Sequence, residues 1–136
     1  MPARSRARKR ALDILYASEL RGESATDALA RAVEAGEGPS NPYVGFLVTG
    51  VVEHQPRIDE LLTRYSQSWA LNRMPAVDRT ALRIGVFELL WAEDVPDAVA
   101  VDEAVSLVRE LSTDESPAFV NGVLGAMLRE KDEIGA

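Results

Sequence analysis

The sequence predicts an all-α fold of about seven helices, arranged as two packed helical sub-bundles near residues 1–68 and 76–132. Apolar residues recur at three- and four-residue steps along almost every segment, as in helices with one buried face. Capping residues, glycines and prolines separate these segments, and no convincing pair of strands is present. The length of 136 residues, with 46% hydrophobic and 27% charged residues, predicts a single globular domain with a real core.

Two helices are predicted before the first loop. The first runs from about Arg4 to Arg21 and stops at Gly22, since glycine is a typical stop signal directly after a helix. Ser24 or Thr26 can cap a second helix. Its apolar residues and the loop that ends it are Ala28, Leu29, Ala32 and Val33, followed by Gly36, Gly38 and Pro39.

Asn41 and Pro42 predict the start of a third helix, with asparagine as N-cap and proline at the first helical position. Its expected apolar face consists of Tyr43, Phe46, Leu47, Gly50 and Val51. Pro56 is expected to break or kink this helix, because proline lacks the N–H that the carbonyl four residues earlier needs. A fresh helix then continues to about Ser68, with Ile58, Leu61, Leu62 and Tyr65 facing inward.

A turn near residues 69–75 separates the two predicted halves. The next helix, from Val77 to Trp91, is apolar over most of its circumference, so we expect it to be the central buried helix. Pro96 ends the connection after it, and Asp102 is expected to cap the following helix.

Ser116 and Pro117 repeat the cap-then-proline signal and predict the last helix. Gly122 and Gly125 lie in the middle of it, where glycine is destabilising, and therefore predict close contact with another helix. Asn121 has a poor helix propensity; it either hydrogen-bonds a buried carbonyl or faces a ligand.

The charge distribution gives the clearest indication of function. Five of the fifteen basic residues lie within the first ten positions, which contain no acidic residue; we call this cluster the basic head, and it consists of Arg4, Arg6, Arg8, Lys9 and Arg10. Like charges one helical turn apart repel, and cations oppose the dipole at a helix N-terminus, so stability alone does not explain the cluster. The rest of the chain is strongly acidic. A local contact with a polyanion, or a frayed solubilising tail, would explain this asymmetry.

The strength of such a contact follows from counterion release. Five contacts to a single-stranded nucleic acid give a slope of about −3.5 in a plot of log affinity against log salt, so affinity falls roughly a hundredfold between about 50 and 200 mM salt. Charge alone therefore predicts weak binding at physiological salt. Useful affinity needs base stacking or a second protein as well.

The sequence lacks the residues that several kinds of catalytic, metal-binding and phosphate-binding site require. Cysteine is absent and His54 is the single histidine, which leaves no thiol nucleophile and too few ligands for a typical metal site. Gly36 and Gly38 lack the third glycine and the lysine of a phosphate-binding loop. No segment has the length of a membrane span or the apolar core of a secretory signal. We expect a cytoplasmic protein that is not an enzyme and uses no cofactor.

Four blocks carry a family resemblance. They are Arg4–Ala11 with Leu15 and Tyr16; Val77–Ile84 with Phe87, Glu88 and Leu89; Asp94–Pro96 followed by Val101–Val105; and Phe119–Leu124, the most specific of the four. Over nearly its whole length the chain resembles NusB, the bacterial transcription antitermination family.

The resemblance implies a helical protein that binds the boxA element of nascent RNA together with NusE, a ribosomal protein. The complex is expected to seed an antitermination assembly on RNA polymerase, notably at ribosomal RNA operons. The resemblance also implies that the basic head contacts RNA, together with Phe119 and Asn121. By the same resemblance, Asp78, Arg79 and Glu88 are expected to form the surface that faces NusE.

Two other interpretations stay open at this point. A similar domain forms the N-terminus of some ribosomal RNA cytosine methyltransferases, although 136 residues leave no room for a cofactor-binding sheet. The chain could instead be a protein-interaction module whose basic head binds an acidic protein. The sequence also permits a homodimer that hides the basic head.

Overall fold

The computed structural model describes residues 2–135. Seven helices and no strand lie within this range: α1 (Ala3–Arg21), α2 (Ala25–Glu34), α3 (Pro42–Tyr65), α4 (Ala76–Trp91), α5 (Asp97–Leu111), α6 (Ser116–Arg129) and α7 (Lys131–Ile134). The predicted all-α class is therefore confirmed. None of the described helices is long and apolar enough to cross a membrane.

Two compact units divide the chain, one ending at Glu53 and the other beginning at His54. This division lies inside α3 and differs from the boundary that the sequence predicts at the turn near residues 69–75. The segment before that turn therefore groups with the second half of the chain.

The first unit contains α1, α2 and the beginning of α3. The end of α1 and the start of α3 match the sequence prediction, because each cap involves only nearby residues. Gly22 adopts a φ of 67° after α1, and its N–H donates to the carbonyl of Glu19. The Asn41 side-chain oxygen accepts a hydrogen bond from the N–H of Tyr43 at 2.9 Å. In α1, the residues that turn away from solvent include Ala7, Ala11, Leu12 and Leu15.

The sequence predicts a break or kink at Pro56; the break is wrong, because α3 runs without interruption from Pro42 to Tyr65. Proline in a helix interior costs about 3 kcal/mol. Val51 and Ile58 lie two helical turns apart on either side of Pro56, and both are fully buried. Burying each such side chain contributes about 1.5–3 kcal/mol, so an in-phase apolar stripe outweighs the lost hydrogen bond. The structure nevertheless has seven helices because the short α7 follows α6.

In the second unit, α4 contacts both α5 and α6, and α5 packs against α6. Ten of the sixteen residues of α4 are buried, which agrees with the predicted central helix. The expected cap at Asp102 is wrong: α5 begins at Asp97 directly after Pro96, and Asp102 is exposed within it. Pro96 supplies the extended backbone that starts the helix, and the Asp97 carboxylate suits its positive end.

The close helix contact expected at Gly122 and Gly125 occurs instead at Gly85. A Cβ added at Gly85 would lie 2.7 Å from Leu124 Cδ1 and 3.1 Å from Ala104 Cβ, one on α6 and the other on α5. At Gly122 nothing lies within 4 Å of such a Cβ. Gly85 therefore permits the tight approach of three helices.

We expect Gly85→Ala to destabilise the protein by about 1–3 kcal/mol, because the added methyl group overpacks the α4–α5–α6 contact. Gly122→Ala is the matched control, since it adds the same methyl group to open space and should stabilise its helix by about 0.5–1 kcal/mol. Urea unfolding of both variants measures the difference. Equal stabilities would contradict the close approach at Gly85.

Candidate nucleic-acid interface

The basic head forms the first two turns of α1, and helical spacing divides its arginines between two flanks. Arg4 and Arg8 lie one turn apart on one flank, and Arg6 and Arg10 lie one turn apart on the other. Ala7 is buried between the two flanks. The cluster therefore presents two surfaces rather than one continuous cationic stripe.

On the first flank, the arginines lie against an aromatic ring. The Arg4 guanidinium carbon is 4.3 Å from the centroid of the Tyr43 ring, and that of Arg8 is 5.7 Å from it. These distances allow cation–π attraction. Arg4 is exposed, but Arg8 is only 3% exposed. The position of Arg8 is therefore structural, and its predicted RNA contact is not supported by the fold.

On the second flank, Arg6 and Arg10 line a cleft of about 300 Å³. The remaining lining residues are Ala3, Ala7, Pro39, Ser40, Asn41 and Val44. The Asn41 side chain closes one side of the cleft: its amide nitrogen donates to the carbonyl of Ala3 at 3.4 Å, while its oxygen caps α3. We call this site the basic cleft.

The electrostatics of the basic cleft suit a phosphate group. The N-termini of α1 and α3 are tied together by Asn41, and neither helix has an acidic residue in its first turn. The partial positive charges of two helix ends therefore add to those of Arg6 and Arg10. Both arginines are exposed and can reach a phosphate in solution. Lys9 lies beside them and is half-buried.

The other residues predicted to contact RNA belong to the second unit. Phe119 is half-buried, and its ring packs edge-on against Trp69 with 5.1 Å between centroids. Asn121 is exposed on α6, so it does not serve a buried carbonyl. Trp69 lies in the turn that the sequence predicts near residues 69–75, and its contact with Phe119 becomes apparent only in the structure.

The residues predicted to face a protein partner are mostly internal. Asp78 is completely buried and accepts hydrogen bonds from the hydroxyls of Ser112 at 2.5 Å and Ser116 at 2.8 Å. Glu88 is 1% exposed. Arg79 is half-buried and donates to the carbonyls of Leu71 and Met74. Asp78 and Glu88 therefore cannot form a surface for a partner while the protein is folded.

Ser116 is not the N-cap of α6 that the sequence predicts, because its side chain bonds to the buried Asp78. The N-cap of α6 is Glu115, and Ser116 is the first residue of the helix. Its hydroxyl points to Asp78 and also lies 2.8 Å from the Thr113 hydroxyl. A tertiary hydrogen bond thus replaces the local cap that the sequence suggests.

His54, the single histidine, lies in an aromatic stack. Its ring is 4.2 Å from Trp91 and 5.9 Å from Phe87, centroid to centroid, with an interplanar angle of 16° to Trp91. Within residues 2–135 no three histidine, cysteine or carboxylate side chains converge in a way that could hold a metal ion. The stack gives His54 a packing role.

Comparison with known proteins identifies the family. The NusB family model matches residues 5–129. A transcription antitermination protein NusB from Nocardioides sp. strain JS614 is 66% identical, with 98% of this chain and 99% of the relative aligned. The corresponding protein of Beutenbergia cavernae is 57% identical over 95% of this chain and 91% of its own length.

Solved structures agree with these relatives. T. maritima NusB is 30% identical and superimposes with a TM-score of 0.84 over 100% of this chain and 99% of its own. Antitermination factor NusB in a crystal structure with NusE and double-stranded RNA is also 30% identical, with a TM-score of 0.78 over 94% and 98% of the two chains. On sequence and structure alike, the chain belongs to the NusB family.

Proposed function

We propose that this protein is a transcription antitermination factor that binds boxA-type RNA of nascent ribosomal transcripts together with a NusE-type ribosomal protein. The complex then helps to assemble an antitermination machinery on RNA polymerase. The observation that carries the proposal is the basic cleft, where two exposed arginines lie beside the N-termini of α1 and α3. The solved structure of antitermination factors NusB and NusE in complex with double-stranded RNA supports a NusE-type protein and RNA as partners.

The relatives favour this role over the methyltransferase alternative. The Nocardioides protein aligns over 99% of its length and is named for transcription antitermination, not for catalysis. We therefore propose a binding protein without catalytic activity that acts on transcripts in the cytoplasm. RNA contact is assigned to Arg4, Arg6, Lys9 and Arg10, with Phe119 and Asn121 as further contacts in the second unit.

The NusE-type partner is needed for tight RNA binding because the basic head has few accessible cationic side chains. With Arg8 buried, four cationic side chains of the basic head can reach phosphates, which gives a salt slope of about −2.8 for single-stranded RNA. The acidic remainder of the chain repels the same RNA. A second protein that supplies further contacts would raise the affinity at physiological salt.

We expect a labelled boxA-type RNA to bind this protein about fiftyfold more weakly at roughly 200 mM than at roughly 50 mM salt, with a clear gain in affinity when the NusE-type protein is added. Fluorescence anisotropy measures both effects. A scrambled RNA of equal length is the control. Equal binding of the two RNAs in the presence of the partner would contradict boxA recognition, and equal isotherms with and without the partner would contradict joint binding.

A further inference from the structure

Phe46 lies at the surface although its helical position predicts a buried side chain. It is 45% exposed, whereas Leu47 and Val51 on the same helix are fully buried. Within the described part of the chain, the large hydrophobic residues with the greatest exposure are Leu20, Val33, Phe46 and Val99, and Phe46 is the aromatic residue among them. Single exposed hydrophobic residues are common on protein surfaces, so the exposure of Phe46 has meaning only through the residues around it.

The surroundings of Phe46 connect it to the basic head. Its ring stacks on Tyr43 with 5.4 Å between centroids and an interplanar angle of 29°. The Arg4 guanidinium lies over the same Tyr43 ring at 4.3 Å. Tyr43 itself is 8% exposed and thus anchored in the first unit. Arg4, Tyr43 and Phe46 therefore form one row, in which a buried ring joins an exposed cation to an exposed aromatic ring; we call it the aromatic row.

This arrangement matches what a single-stranded nucleic acid requires. Such strands bind where cationic side chains follow the phosphates and aromatic rings stack on the bases. In the aromatic row, Arg4 supplies the cation and Phe46 the accessible ring. The first turn of α3, which carries Tyr43, contains no acidic residue that would repel a phosphate. The charge of the surface therefore favours an RNA over an apolar protein segment as the occupant.

We infer that Phe46 stacks on an unpaired base of the bound RNA, with Tyr43 holding the ring in place and Arg4 contacting an adjacent phosphate. The inference rests on the proposed RNA-binding function and names the residue that supplies base stacking. Stacking also explains how a basic head with few accessible charges reaches useful affinity, because stacking on an aromatic ring does not depend on counterion release.

The test compares Phe46→Ala with Phe46→Tyr and with Leu20→Ala, an equally apolar truncation at an exposed site at the other end of α1. We expect Phe46→Ala to weaken binding of single-stranded boxA-type RNA by about 5- to 150-fold, the stacking free energy of one base expressed as a ratio of dissociation constants. The salt slope should stay unchanged. Phe46→Tyr and Leu20→Ala should bind like the unaltered protein, and thermal unfolding should show all variants folded.

A second measurement distinguishes loss of base stacking in Phe46→Ala from a loss of contact area that would affect any RNA. The penalty of Phe46→Ala should disappear on a fully paired RNA duplex, because paired bases are not available to the ring. It should persist on a scrambled single strand, since every base has a face that can stack. A penalty of equal size on the duplex and on the single strand would overturn the inference.

The remaining outcomes distinguish the inference from the function on which it rests. If Phe46→Ala binds RNA normally while Arg6 and Arg10 variants do not, the stacking role is wrong and the proposed function stands. If Phe46→Ala loses affinity for the NusE-type protein alone but not for RNA, the ring is a protein contact and the inference fails. If the unaltered protein binds no RNA even with its partner, the proposed function fails first.

Discussion

Replacing Arg6 and Arg10 together by Ala should weaken RNA binding roughly 10- to 100-fold at physiological salt and reduce the salt slope by about 1.4, the contribution of two phosphate contacts. Both side chains are exposed and line the basic cleft, so their removal takes away the phosphate contacts without opening the core. Anisotropy titrations at several salt concentrations measure affinity and slope together. Helicity should be unchanged, because alanine is a strong helix former.

The matched control removes the same charge elsewhere in the first unit. Arg21 and Arg31 are exposed and form ion pairs with Glu23, away from the basic cleft. Their double replacement by Ala should change RNA affinity only slightly, through net charge. Equal losses in the two double variants would show that binding senses overall charge and not the cleft.

The double variant keeps Arg8. Because it is buried against Tyr43, its replacement by Ala would perturb packing at the start of α1 as well as any RNA contact. A variant that combined Arg8 with Arg6 and Arg10 would therefore mix unfolding with loss of binding. The structure shows that Arg8 is buried whereas Arg6 and Arg10 are exposed, a difference that the sequence does not reveal.

Asp78→Ala should destabilise the protein by about 2–4 kcal/mol, the largest loss that we expect from any single replacement. The Asp78 carboxylate is fully buried, and each oxygen accepts a hydrogen bond, from Ser112 and Ser116 respectively. Its removal leaves the buried Ser116 hydroxyl and the half-buried Ser112 hydroxyl without this acceptor, and a buried hydrogen-bonding group left unsatisfied costs about 1–3 kcal/mol. Denaturant unfolding followed by circular dichroism measures the change.

Asp102→Ala is the control for this prediction. It removes the same carboxylate from the exposed face of α5 and should change stability by no more than about 0.5 kcal/mol. Asp78→Asn should lie between the two, since the amide keeps one acceptor oxygen. If Asp78→Ala were as stable as the control, the two serine hydroxyls would have to find other acceptors, and a structural role for Asp78 would be excluded.

The helices that the sequence predicts well are those whose ends depend on neighbouring residues. Gly22 ends α1 and Asn41 caps α3 through contacts within a few residues, and the structure confirms both. The predicted start at Asp102 is wrong because Pro96 already starts α5 at Asp97. The break at Pro56 is wrong because burial of Val51 and Ile58 on either side of it outweighs the local signal. Ser116 shows the reason most clearly, since its hydroxyl bonds to Asp78, 38 residues away in the chain.

The candidate site divides in the same way. The basic head, its sequence position and its resemblance to the NusB family follow from the order of residues alone, and the family is confirmed. The individual roles of the charged residues cannot be derived from the order of residues alone. Helical spacing groups Arg4 with Arg8, but it does not show that one is exposed and the other buried against Tyr43.

By itself, the sequence therefore determined the helical class, the concentration of positive charge at one end and the family, because periodicity, composition and motifs are properties of neighbouring residues. Only the tertiary structure placed Asp78 and Glu88 in the interior and Phe46 at the surface. A helical pattern defines which residues share a face, whereas burial of that face depends on which distant helix covers it. Long-range packing thus decided which polar and aromatic side chains are available for binding.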